Sequence, residues 1–118
     1  MPDRRAGGPQ KMHIFHLADR EIWDITRSTG VPYTMSTRDL TLEQEGFIHC
    51  CADLDQVRGV IGRYYAGVED TLVLLVIDTE LVDATVRYEP SGGETFPHIY
   101  GPITREAVID VRPVPATQ

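Results

Sequence analysis

The stretch Thr71 to Ile77, Thr-Leu-Val-Leu-Leu-Val-Ile, constrains the fold more than any other part of the chain. A strand with one wet face alternates apolar and polar residues. This run is apolar almost throughout and rich in branched side chains, so both of its faces must be covered. It reads as the central strand of a sheet with a layer packed on each side. A chain of 118 residues has room for one such core, and can bury roughly two-thirds of its unfolded surface without disulfides or metals.

The other elements follow in order. Met12 to Leu17 reads as a first strand, and Asp19 as the N-cap of a helix carrying Ile22, Trp23 and Ile25 that stops before Gly30. Val31 to Glu45 is polar, broken by Pro32 and without a sustained period, which predicts a long loop of the kind that often serves as a lid. Gly46 to Cys51 reads as a second strand. Asp53 with Gln56 makes a capping-box signature for a second helix, with the stripe Leu54, Val57, Ile61, Tyr64 and Tyr65 and a stop at Gly67.

Beyond the central run, Ala84 to Glu89 reads as a strand, Pro90 to Thr95 as a flexible loop and Phe96 to Tyr100 as a short extended piece. Thr104 caps a single helical turn before a last strand, Ala107 to Arg112. Strands and helices do not alternate strictly. The expected class is therefore α+β: small, twisted, mostly antiparallel or mixed sheets with two main helices, forming one domain over residues 12–118. Residues 1–11, with Arg4, Arg5, Gly7, Gly8 and Pro9 but no apolar stretch, read as a flexible tail.

Charge and cysteine content exclude several function classes. Acidic residues outnumber basic ones 18 to 11, for a net charge of −7, which repels a phosphate backbone and argues against nucleic-acid binding. The arginines form no run, although a local cluster in the fold could hold one phosphorylated small molecule. No apolar run approaches the ~20 residues of a membrane span, so no membrane partner is expected. The only cysteines, Cys50 and Cys51, are adjacent and read as two reduced thiols on opposite faces of a strand, which fits a cytoplasmic, reducing location. Nothing in the sequence specifies an oligomeric state.

Three histidines lie in strand-like segments where an apolar residue is the default: His16, His49 and His98. Alternation puts His49 on a face with Phe47 and Cys51, and His98 on a face with Phe96 and Tyr100, so all three could look into one cleft. His13 falls on the face opposite His16 and reads as a surface residue. The segment Phe96-Pro97-His98-Ile99-Tyr100-Gly101-Pro102 is too stiff for a generic connector and reads as part of a site. Glu89 and Glu94 are the acidic candidates beside it, either of which could act as a base or stabilise positive charge. A zinc site from His16, His49, His98 and Cys51 lacks the usual ligand spacings, so no metal is assigned, and no phosphate loop, nucleophile elbow or dinucleotide fingerprint is present.

Ile14-Phe15-His16-Leu17, Glu45-Gly46-Phe47-Ile48-His49-Cys50, Val73 to Asp78 and Phe96 to Pro102 together resemble the bacterial domain of unknown function family 952, over about residues 12–114. The resemblance implies an ADP-ribosyltransferase-like fold, in which NAD lies between two small antiparallel sheets. It implies a ribose-holding role for His16, a place for His49 in a second motif, ring stacking by Tyr64, Tyr65 or Tyr100, and Glu89 or Glu94 as the carboxylate facing positive charge on the ribose carbon. Two departures stand out: His98 occupies the segment where many such transferases present glutamate, and Cys51 stands where relatives usually carry serine. Three functions follow: an NAD-related enzyme with NAD as substrate rather than resident cofactor, a binding module for a nucleotide-like or other small polar metabolite, and a structural domain.

Overall fold

The computed structural model describes residues 13–116, so the tail expected over 1–11 and the Met12 end of the first strand lie outside the described residues. Within them, strands β1 (His13–Asp19), β2 (Ile48–His49), β3 (Leu72–Asp78), β4 (Val86–Ser91), β5 (Glu94–Ile99) and β6 (Val108–Arg112) form two three-stranded sheets. The first has the order β1-β3-β6 and the second β2-β5-β4, with antiparallel pairing throughout. The expected α+β class with small antiparallel sheets holds.

β3 is the central strand, and its two faces feed two cores, as its unbroken apolar run requires. Leu75 and Ile77 join Ile14, Ala18, Trp23, Tyr33, Ile48 and Ile99 on one side. Leu72 and Leu74 join Leu17, Val57, Ile61 and Tyr65 on the other. Each such aliphatic side chain contributes about 1.5–3 kcal/mol relative to leaving it in water.

Helix α1 (Arg20–Thr29) starts where the Asp19 carboxylate accepts from the Glu21 and Ile22 N–H groups, at 2.9 and 3.2 Å, and stops at Gly30. It buries Trp23 and Thr26. Ile25, expected on the apolar stripe, is instead 55% exposed. The predicted loop over 31–45 is more ordered than its composition suggests. Tyr33 is buried and bonded through its backbone to Ile103, and a one-turn helix, α2 (Leu42–Glu45), is closed by a Thr41/Gln44 capping box.

Helix α3 (Leu54–Val60) begins as predicted, with the Gln56 N–H donating to Asp53 at 2.8 Å, but the Gln56 carboxamide reaches the Ala52 N–H rather than that of the cap. The predicted helix does not continue regularly to Gly67: α3 passes into a π-helical turn over Ile61–Tyr65. The predicted flexible loop over 90–95 is also corrected. β4 and β5 form a continuous hairpin through the Ser91 and Glu94 pair, closed by Gly92 and Gly93 at φ 57° and 87°. Two consecutive positive φ angles give the turn whose twist matches the flanking strands, and the Gly-Gly pair supplies them without strain. Pro90 is tolerated because β4 is an edge strand.

The two sheets are stitched together along the start of β1 and the end of β2. The Phe15 N–H donates to the Cys51 carbonyl at 2.8 Å, and the Cys51 N–H returns the bond at 2.7 Å. The candidate site lies at this seam.

Candidate functional site

A cavity of about 590 Å³ opens where β1, the end of β2, the π-turn and the turn at 36–39 meet. Its walls include His16, His49, Cys51, Tyr64, Tyr65 and Phe96, six of the residues singled out from the sequence, together with Ser36, Arg38 and Arg63.

His16 is buried at the seam, and both its ring nitrogens are engaged. Nδ1 lies 2.6 Å from the His49 carbonyl, which can only accept, so Nδ1 carries the proton. Nε2, 3.0 Å from the Tyr33 hydroxyl, then accepts from it. Burial is the main cause that lowers the His16 pKa from 6.5 to about 4, so the ring is neutral near pH 7. The His49 N–H in turn donates to the buried Ser36 hydroxyl at 3.3 Å. His16 and Ser36 thus hold the backbone of His49 from both sides and fix the wall of the cavity.

The His49 side chain is half-buried, with Nε2 3.8 Å from a Glu45 carboxylate oxygen. Burial, and then the nearby His98, hold its pKa below the usual histidine value. Cys51 is buried, and burial, followed by Asp53 and Glu94, pushes its thiol up to about 12. Cys50 faces the opposite core, also as a free thiol. Neither is a thiolate near neutral pH, which removes both as nucleophiles. The residues weighed above as zinc ligands, His16, His49, His98 and Cys51, do not converge: among the described residues, no three His, Cys, Asp or Glu side chains are grouped to hold a metal ion.

His98, expected to share the cleft, does not line the cavity. It sits on the same face of the second sheet, directly across the ladder from His49, with ring centroids 5.1 Å apart. Its Nδ1 lies 2.6 Å from Glu89 Oε1, and the Tyr100 hydroxyl donates to the same oxygen at 2.5 Å. These two hydrogen bonds, Tyr100 first, hold the Glu89 carboxyl below its ordinary pKa. Phe47 stacks on the His98 ring at 4.0 Å and 17°, and His98 Nε2 is buried with no partner. Glu89, Tyr100 and His98 therefore form their own cluster beside the cavity. Glu94 joins neither: it is exposed and accepts from Gln56 Nε2 at 3.3 Å.

The sequence does not point to Tyr33, Ser36, Arg38 and Arg63 as parts of the site, whereas strand alternation places Phe47 on the face of His49. Tyr33 carried a faint signal as the one aromatic in a polar segment. The two arginines carried none, because the fold brings them together from distant parts of the chain.

Residues 17–111 match the family described as "Protein of unknown function (DUF952)", and the chain belongs to that family. Among solved structures, the fold is similar to the crystal structure of protein CC0527 from Caulobacter crescentus, at 25% identity and a TM-score of 0.68, covering 88% of this chain and 93% of that one. The solution NMR structure of the same Caulobacter protein gives 24% identity and a TM-score of 0.67, covering 86% and 84%. No curated protein matches the chain. Among the described residues, no helix is long and apolar enough to cross a membrane.

Proposed function

We propose that the chain binds a small polar metabolite of the nucleotide type in the cavity at the sheet seam, with NAD and its derivatives as the lead ligand class. The observation that carries this reading is the two-sided lining. The rings of Phe15, Tyr64, Tyr65 and Phe96 stand with the polar groups of Ser36, Thr37, Arg38, His49 and Arg63 around about 590 Å³. A concave, mainly apolar site with a few fixed polar groups is what small-molecule recognition needs, and the volume lies within the usual ~300–1,000 Å³. The resemblance to ADP-ribosyltransferase-like folds supports the same class, since NAD there lies between two small antiparallel sheets. His16 contributes by holding the wall, because its ring nitrogens are already bonded.

A second reading, turnover of the bound ligand, is favoured by the cluster beside the cavity. Glu89 is held by the Tyr100 hydroxyl and His98 Nδ1, which orients a carboxylate beside the cavity to face positive charge that develops on a bound ligand. Thermal melts with NAD, ADP-ribose and nicotinamide test the first reading, and nicotinamide release from NAD tests the second. Binding predicts a saturable rise in melting temperature with at least one ligand. No response to any of the three would overturn the binding reading. For turnover, Glu89→Gln should abolish release while the ligand-induced rise in melting temperature survives, and equal release by wild type and variant would overturn the catalytic one.

A further inference from the structure

We infer that the cavity carries a phosphate subsite formed by the guanidinium groups of Arg38 and Arg63, an inference that rests on the cavity being a ligand site. The arginines elsewhere show the contrast. Arg27, Arg58, Arg105 and Arg112 each lie within 3.4 Å of a carboxylate and Arg20 donates to the Asp70 and Leu72 carbonyls, whereas Arg63, like Arg87 over Tyr100, rests only on an aromatic ring, that of Tyr64 at 5.9 Å. Among the described residues, no Asp or Glu oxygen lies within 4.0 Å of a side-chain nitrogen of Arg38 or Arg63. Both line the cavity, and the lining carries one carboxylate, that of Asp39.

The backbone segments that bear them are tied together. The Arg38 backbone N–H donates to the Tyr65 hydroxyl at 3.3 Å, which ties the turn at 36–39 to the π-turn that bears Arg63. That turn is itself locked, with the Ser36 and Thr37 N–H groups on the Leu40 carbonyl. The wider bore of the π-turn buries Ile61 and Tyr65 while leaving Tyr64 72% exposed beside Arg63 at the cavity. The Arg63 guanidinium lies beside Gly59, where a Cβ would meet it at an ordinary contact distance of 3.5 Å.

A guanidinium is a planar fork that matches phosphate oxygens two at a time, and it stays charged at any working pH. In a molecule of net charge −7, two such groups at a cavity without close carboxylate partners make a local positive site in a repelling surround. Aromatic rings on the same walls suit a ligand that joins a flat ring to a phosphate.

The test is calorimetric titration of the whole chain with AMP, adenosine and inorganic phosphate at low ionic strength, repeated on Arg38→Gln and Arg63→Gln. The subsite predicts that AMP binds at least tenfold tighter than adenosine. It also predicts that this advantage shrinks with added salt, and that either variant removes it without lowering the melting temperature. Inorganic phosphate binding alone, lost in both variants, would support the subsite with free phosphate as its occupant. Adenosine binding as tightly as AMP, in wild type and variants alike, would overturn the subsite and leave the cavity reading standing. Silence from all three probes would overturn the subsite, and the cavity reading would fall with it only if NAD, ADP-ribose and nicotinamide are also silent.

Discussion

Acid should loosen this fold through His16 starting near pH 6.5, above the range in which ordinary carboxylates are half-protonated. In the unfolded chain this histidine takes up a proton near pH 6.5, whereas in the fold its value is about 4. Between those limits the unfolded state binds the extra proton, so stability falls as pH is lowered through the window and the loss is complete below about pH 4. The difference is worth roughly 3 kcal/mol, a large share of the about 5–15 kcal/mol that holds a typical domain together. With a urea slope of about 1.5 kcal/mol/M, the midpoint falls by roughly 2 M.

Burial also holds His49 below its ordinary value, so wild type alone does not isolate the effect. His16→Gln does: the variant is less stable at pH 7.5, but its disadvantage should shrink by most of the roughly 3 kcal/mol by pH 4.5. Urea unfolding at four pH values between these limits measures it. A stability difference between wild type and His16→Gln that stays constant across the range would refute the assignment of His16 as a neutral, fully bonded group.

Other consequences follow from the same geometry. Tyr33→Phe leaves His16 Nε2 without its donor in a buried site, and should cost about 1–3 kcal/mol by urea unfolding; a neutral variant would show that the bond is not made in solution. Raising the Cys51 pKa from 9.0 to about 12 cuts its thiolate fraction roughly a thousandfold, so iodoacetamide at pH 7.5 should label it only after denaturation, and rapid native labelling would contradict its burial. Gly93→Ala meets no atom within 4 Å but must hold φ 87°, so it should cost about 1–2 kcal/mol through backbone strain alone.

What can be read from the sequence is what local chemistry decides. The two-faced apolar run forms the central strand, and Asp19, Gly30 and Asp53 cap the helices they are expected to cap. The hairpin escapes a local reading because Pro90, Gly92 and Gly93 are loop formers by composition, yet an edge position and a two-glycine turn make them compatible with paired strands. The π-turn is invisible, since Ile61, Tyr64 and Tyr65 fit an ordinary helical stripe until one residue more per turn rotates Tyr64 outward.

The site is legible in part. His16, His49, Cys51, Tyr65 and Phe96 do meet at one cavity, because strand alternation and the helix face place them there. Alternation alone puts His98 in the same cleft, but its ring is turned to Glu89 and covered by Phe47, a choice set by partners on β4 and before β2 rather than by its own segment. Arg38 and Arg63 depend on tertiary proximity that no spacing rule encodes.

The most direct test of a nucleotide-type ligand at the seam is an NMR titration of the full chain with ADP-ribose and NAD, following backbone amide and imidazole signals. Saturable shifts are expected at the cavity wall, at Ser36, Thr37, Arg38, His49, Arg63 and Tyr64, with β6 unmoved. Saturation with shifts centred elsewhere, or no response to either ligand, would contradict that assignment.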